Sequence, residues 1–263
     1  MRRFFLYGPR KNRRRFASIF WVFFLSGLFA CATGKGEDPL LAKQKYQEAV
    51  KYDSLNLKRD AYASLKEAIR LDPLEPNYHL SLGAAYFSAG DLENAEKEFL
   101  QTLRLDEHYN EAHRNLGRLY MQQGKWQEAI GHLQKSFKGP GVSSPHQVYN
   151  WLALSYYARG DIVQAEKEWT KALRLKENPS IRLNLALAYR DQGRFDLAMD
   201  SLRKALLLDP HLVEAHHQMA LLLLKKKDLD GAMKHFREVI QRQPQSDLAA
   251  NSREYMEMIR SGN

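Results

Sequence analysis

The sequence predicts an all-α protein, a solenoid of six helix pairs closed by a C-terminal capping helix, and three observations carry that prediction. A self-similarity with a period of about 34 residues runs through 42–245, the mark of a stack of like units. Within each period a leucine, a small residue and a tyrosine recur at fixed offsets: Leu82, Gly83 and Tyr86; Leu116, Gly117 and Tyr120; Leu152, Ala153 and Tyr156; Leu185, Ala186 and Tyr189. The offset of four from leucine to tyrosine places both on one face of a helix. After each such segment comes a glycine (Gly90, Gly124, Gly160, Gly193), then a second segment built around an alanine (Ala95, Ala129, Ala165, Ala198). A glycine between two helical segments marks a chain reversal, so each period folds as a helix pair. One pair is too small to bury its own apolar face, and stacking on neighbours builds a continuous core.

In order, the copies begin at Ala42, Pro76, Asn110, His146, Pro179 and Val213. Their eighth position is Ala49, Gly83, Gly117, Ala153, Ala186 and Ala220, and their twentieth is Ala61, Ala95, Ala129, Ala165, Ala198 and Ala232. Both positions want small side chains because there the two helices of a pair approach closely. Pro73, Pro210 and Pro244 end the second helices of copies one, five and six, since proline cannot continue a helix. Glu107, Gly141 and Glu177 stand at that place in the others. The first copy diverges most, with Lys45 and Glu48 where apolar residues are usual, and in the last Leu223 and Lys227 replace tyrosine and glycine. Copies three and four start 36 residues apart rather than 34, and the extra length lies in 139–145, a loop with two glycines and two prolines. Leu248, Tyr255, Met256 and Ile259, spread among polar residues, form the apolar side of a last helix that covers the open end of the stack.

These residues resemble the tetratricopeptide repeat, whose pattern is an aromatic at position 4, Leu-Gly/Ala at 7–8, Tyr at 11, Ala at 20, an aromatic or Leu at 24, Ala at 27 and Pro at 32. The resemblance implies a right-handed solenoid over 42–246, followed by a capping helix and tail over 247–263. It also implies a protein-binding face lined by positions 2, 5, 9 and 12 of each first helix.

The N-terminal residues address the protein to the cell envelope. Residues 1–15 hold Arg2, Arg3, Arg10, Lys11, Arg13, Arg14 and Arg15 and no acidic residue; an apolar run over 16–30 follows, then Cys31, the single cysteine. A basic n-region before a short apolar run fits an export signal, and the run is short for a membrane-spanning helix. Leu28, Phe29, Ala30 and Cys31 resemble the lipobox of bacterial lipoproteins, which implies a signal peptide over 1–30 and a lipidated Cys31 as the new N-terminus. Three other readings stay open: cleavage at Ala30-Cys31-Ala32 as an A-x-A site, releasing a periplasmic protein; an uncleaved anchor; and a twin-arginine signal at Arg13-Arg14-Arg15-Phe16. Ala32 is not the Asp that retains lipoproteins of the enteric type in the inner membrane, so the expected location is the outer membrane, facing the periplasm. Residues 31–41, with Gly34, Gly36 and Pro39, read as a tether that spans on the order of 35 Å at full stretch.

Removing that signal changes what the charge implies. The chain carries 40 basic and 31 acidic residues, +9. Beyond residue 30 the balance is 33 basic against 31 acidic, +2, so no basic excess remains for nucleic acid. Catalytic patterns are missing: there is no H-E-x-x-H, no G-x-S-x-G and no phosphate loop, so no enzyme and no cofactor are expected. Of nine histidines, His79, His113 and His216 occupy position 4, where a ring packs against the neighbouring helix, so they read as structural and no metal is expected.

The expected site is therefore a partner-binding groove. Positions 2, 5, 9 and 12 supply Leu80, Phe87, Leu154, Tyr157, Leu183, Leu187, Leu221 and Leu224, apolar where a merely solvated face would be polar. Arg114 and Arg118, one turn apart, add a place for an acidic group. Either a tight superhelix covers this face itself, or it accepts an amphipathic helix or extended segment of a partner. The chaperone-tail clamp of Lys at position 5 and Asn at position 9 is absent. The whole arrangement, from lipobox-like cysteine to capping helix, resembles the type IV pilus biogenesis lipoproteins, the pilotins. That implies a secretin subunit as client and assembly or localisation of the secretin as the task. The alternative is an envelope scaffold that organises peptidoglycan enzymes or another cell-envelope complex.

Overall fold

The structure, a computed structural model, describes residues 38–137 and 144–261, and all regular structure among them is helical. The helices are α1 (Pro39–Ser54), α2 (Lys58–Leu71), α3 (Pro76–Ser88), α4 (Leu92–Leu105), α5 (Asn110–Gln122), α6 (Trp126–Lys135), α7 (Pro145–Ala158), α8 (Ile162–Leu175), α9 (Pro179–Asp191), α10 (Phe195–Leu208), α11 (Val213–Lys225), α12 (Leu229–Arg242) and α13 (Asp247–Ser261). They pack as six consecutive pairs, α1 with α2 through α11 with α12, each touching the next, and α13 lies against α11 and α12. The expected signal segment, Cys31, the tether up to residue 37 and the linker at 138–143 lie outside the described residues.

Two helices start earlier than their repeats. α1 begins at Pro39 rather than Ala42, so the last three residues expected in the tether are helical. Asp38 is the reason: its carboxylate accepts the Leu41 N–H at 3.0 Å, and Pro39 takes the first helical turn, where a missing N–H costs nothing. α7 begins at Pro145, one residue before His146, for the same reason of proline at the first turn.

Each pair closes where the sequence demands small side chains. A Cβ placed on Gly83 would lie 2.7 Å from the Phe99 ring, and one on Gly117 would lie 2.7 Å from Leu133 Cδ2. Ala95, Ala129, Ala165, Ala198 and Ala232, at position 20, are fully buried. Position 24 fills the space this leaves, with Leu65, Phe99, Leu133, Trp169, Leu202 and Phe236, all buried. Position 27 is buried throughout and small in most copies (Ala68, Thr102, Ser136, Ala172, Ala205, with Val239 last). On the second helices one column of large side chains thus stands between two columns of mostly small ones, and the first helices add Leu82, Leu116, Leu152, Leu185 and Leu222, the interdigitation that close packing requires.

The reversal inside each pair has one backbone solution. Position 15 adopts positive φ in all six copies: Asn56 (58°), Gly90 (81°), Gly124 (71°), Gly160 (90°), Gly193 (73°) and Lys227 (64°). The left-handed residue lets the following N–H return to a carbonyl near the helix end, as Asp91 N–H does to Tyr86 and Asp228 N–H to Leu223. Lys227 therefore keeps the geometry although the glycine is gone.

Candidate functional site

Successive first helices approach one another directly, α3 with α5, α5 with α7 and α11 with α13, and polar or aromatic bridges link the face they form. The Tyr46 hydroxyl and Ser81 Oγ are 3.2 Å apart between α1 and α3, and the Tyr109 hydroxyl donates to Asn77. The Arg118 guanidinium lies 5.2 Å from the ring centre of Phe87 on α3 and 5.2 Å from that of Trp151 on α7. The Tyr157 hydroxyl donates to Asp191, and Arg190 reaches Gln218 Oε1 at 2.7 Å. His217 Nδ1 meets Ser252 Oγ at 3.2 Å, joining α11 to α13. Burial and the bond to Asp191 push the Tyr157 hydroxyl pKa up. Burial opposes ionisation of Asp191, yet the bonds from Tyr157 and Arg190 outweigh it and hold its carboxyl below the usual range.

The apolar residues expected here divide. Leu80 is buried, packed with Phe99, Leu116 and Leu119, so it belongs to the core and not to a groove. Position 5 of the second copy is turned inward because α4 and α5 both close over it. Phe87, Leu154, Tyr157, Leu183, Leu187, Leu221 and Leu224 are half-buried, each keeping accessible surface on this face. The stack therefore covers its first-helix face only in part. Arg114 is held by Glu111 at 2.6 Å, whereas Arg118 is exposed. Trp151 and Gln218 were not legible as site residues, since they stand at position 6 rather than at 2, 5, 9 or 12. A tryptophan one turn from Leu154 was the signal available.

The position-4 histidines are engaged at both nitrogens. In each, Nε2 lies 3.1 Å from a carbonyl at position 32 of the preceding repeat: His79 on Pro73, His113 on Glu107 and His216 on Pro210. A carbonyl only accepts, so Nε2 carries the proton, and in a neutral ring Nδ1 is left as an acceptor. In His113 and His216 that nitrogen faces Nδ1 of a histidine at position 23 of the second helix, His132 at 3.0 Å and His235 at 2.8 Å, whereas His79 Nδ1 lies 2.7 Å from the Glu98 carboxylate, to which it donates when the ring is protonated. The three residues thus pin one repeat to the end of the last, as the packing role expected of them requires. Among the described residues no three His, Cys, Asp or Glu side chains converge as a metal site would need. Among the same residues no helix is long and apolar enough to cross a membrane.

A stack of helix pairs with an accessible, bridged first-helix face defines a repeat scaffold whose business is binding other proteins. The chain matches the tetratricopeptide repeat over residues 46–108, 85–142, 151–213 and 189–253, and it belongs to that family. It is 29% identical over 215 residues to cellulose synthase operon protein C of Xanthomonas axonopodis pv. citri, a match over 77% of this chain but 14% of that protein's length. It is 26% identical over 182 residues to the type IV pilus assembly protein PilF of Pseudomonas aeruginosa, covering 65% of this chain and 72% of that protein. The solved structure of Pseudomonas aeruginosa PilF superposes with a TM-score of 0.70 at 18% identity, over 82% of this chain and 98% of that one. PilW, a type IV pilus biogenesis factor, superposes with a TM-score of 0.69 at 18% identity, over 80% of this chain and 97% of that one. The two superpositions speak for the fold. Scaffolds of this family generally act by interaction rather than catalysis.

Proposed function

We propose that this chain is a non-enzymatic, lipid-anchored envelope protein that binds a subunit of a type IV pilus secretin on its first-helix face and assists the secretin's assembly or localisation at the outer membrane. The observation that carries the reading is the sequence likeness to PilF, which runs through 182 residues and takes in 72% of that protein rather than a single repeat. The matching extent of the PilF and PilW folds supports it. The half-buried leucines along the first-helix face would receive the client, and a lipid on Cys31 would hold the complex at the membrane.

The test is the state of the pilus secretin in cells lacking this protein, read as detergent-resistant multimers in outer-membrane fractions. Loss of multimers with monomer retained, restored by the wild-type gene but not by Cys31→Ser, is the expected outcome. Unchanged multimers would overturn the reading and put the scaffold for peptidoglycan enzymes in its place. Membrane association that persists in Cys31→Ser would replace lipidation with an uncleaved anchor.

A further inference from the structure

Arg118 differs from the other arginines on its face. Arg114 is paired with Glu111 at 2.6 Å, and Arg190 with Asp191 at 2.7 Å. Arg118 has no hydrogen-bonded or ion-paired partner among the described residues, while its guanidinium carbon sits 5.2 Å from the ring centres of both Phe87 and Trp151. Three successive first helices, α3, α5 and α7, thus bring one exposed cation close to two aromatic rings. Aromatic rings close to a guanidinium favour its charge and restrict its rotamers, and its N–H donors stay available to an acceptor. A group held this way is already ordered, so a planar acceptor that meets it loses little further freedom on binding.

We infer that Arg118, close to Phe87 and Trp151, anchors a carboxylate of the bound protein, an Asp or Glu side chain within a segment that runs along the first-helix face. The inference rests on the proposed role of that face in binding a client. Charge decides the acceptor, because a guanidinium without a partner among the described residues favours an anion over a neutral amide. The carboxylate belongs to a side chain within the segment rather than to a chain end, because half-buried apolar residues lie on both sides of Arg118. Phe87 lies on one side, and Leu154, Tyr157 and Leu187 on the other. The recognised pattern is an acidic residue flanked by apolar ones.

The test uses the full chain in detergent, panned against a phage library of internally displayed random peptides. The peptide enriched most is then titrated as a labelled synthetic peptide by fluorescence anisotropy. Enriched peptides are expected to share an Asp or Glu near apolar residues. Replacing that acid by its amide, or Arg118 by Gln, should each weaken binding at least tenfold, with little further loss when both are changed. Arg118→Lys should recover only a small part, since an ammonium keeps the charge but neither stacks nor binds in a fork. Unchanged circular dichroism in Arg118→Gln would confirm that folding is intact. Binding by Arg118→Gln within twofold of wild type, enriched peptides without acids, or dependence on a free C-terminus would each overturn the anchor. Leu187→Asp separates the two ideas: if it abolishes binding while Arg118→Gln does not, the face stands and the anchor falls. If neither variant matters, or no peptide is enriched, both fall.

Discussion

Lys227 shows how a single residue can depart from a repeat pattern without altering the fold. Five other copies reverse at position 15 through Gly or Asn with positive φ, and Lys227 holds φ at 64° in the same place. A side chain in the left-handed region costs about 1–2 kcal/mol, part of which glycine returns through its greater freedom in the unfolded chain. Lys227→Gly should therefore stabilise the protein by about 0.5–1 kcal/mol, seen as a higher urea midpoint with an unchanged slope. A lower midpoint would mean that Lys227 makes a contact worth more than the strain. Gly117 is the opposite case, with helical φ and no room: its hydrogen faces Leu133, and any larger residue meets a buried side chain. The need for a small residue was legible from the spacing, whereas the partner that imposes it was not.

Between the two helices of a pair the histidines set a pH dependence. His132 and His235 face other histidines, and burial, then the neighbouring His113 or His216, lowers each pKa to about 4 from an ordinary 6.5. The unfolded chain takes up these protons near 6.5 and the folded chain only near 4. Between those values the unfolded state holds more protons, so stability is full above about pH 6.5 and falls as pH drops towards 4. The loss should be on the order of 1–3 kcal/mol for each residue. His79 runs the other way: burial disfavours its charge, but the hydrogen bonds to Glu98 and to the Pro73 carbonyl, with the charge of Glu98, together outweigh it and raise the pKa. Its contribution is present in acid and is lost as pH rises through the raised value, so it offsets part of the slope. Urea titrations at pH 5 and pH 7 should show the acid loss, and the double variant His132→Gln, His235→Gln should flatten it. An equally steep dependence in that variant would assign the slope to other groups. Position 4 was readable as packing, but the pairing to position 23 was not, because it joins residues 19 apart whose rings meet only once the helices are antiparallel.

For the molecule as a whole, stability passes from neighbour to neighbour, as it must when each pair buries its face only against the next. The last helix is therefore more than a tail. Met256 and Ala249 are buried, and α13 covers Phe236 and Val239, both fully buried. Removing 247–263 should cost at least about 3 kcal/mol, given roughly 1.5–3 kcal/mol for each large apolar side chain exposed. The loss of helix seen by circular dichroism should exceed the share of the deleted residues, because α11 and α12 fray with it. A loss confined to the deleted helix would show that the sixth pair closes on its own.

The six pairs, their small and large core positions and the reversal between helices were determined by the sequence itself, because each is a local demand repeated at a fixed period. Leu82 with Gly83 and Tyr86 says the same thing as Leu185 with Ala186 and Tyr189. The chemistry of the first-helix face was decided only by tertiary structure. Leu80 and Leu187 occupy the same class of position on paper, yet one is buried by α4 and α5 and the other keeps accessible surface. Arg114 and Arg118 are likewise alike in sequence, but one finds Glu111 in its own helix. The other lies close to rings contributed by two neighbouring repeats. Periodicity reports which side of a helix a residue takes, and only the stacking of one repeat on the next determines what meets it there.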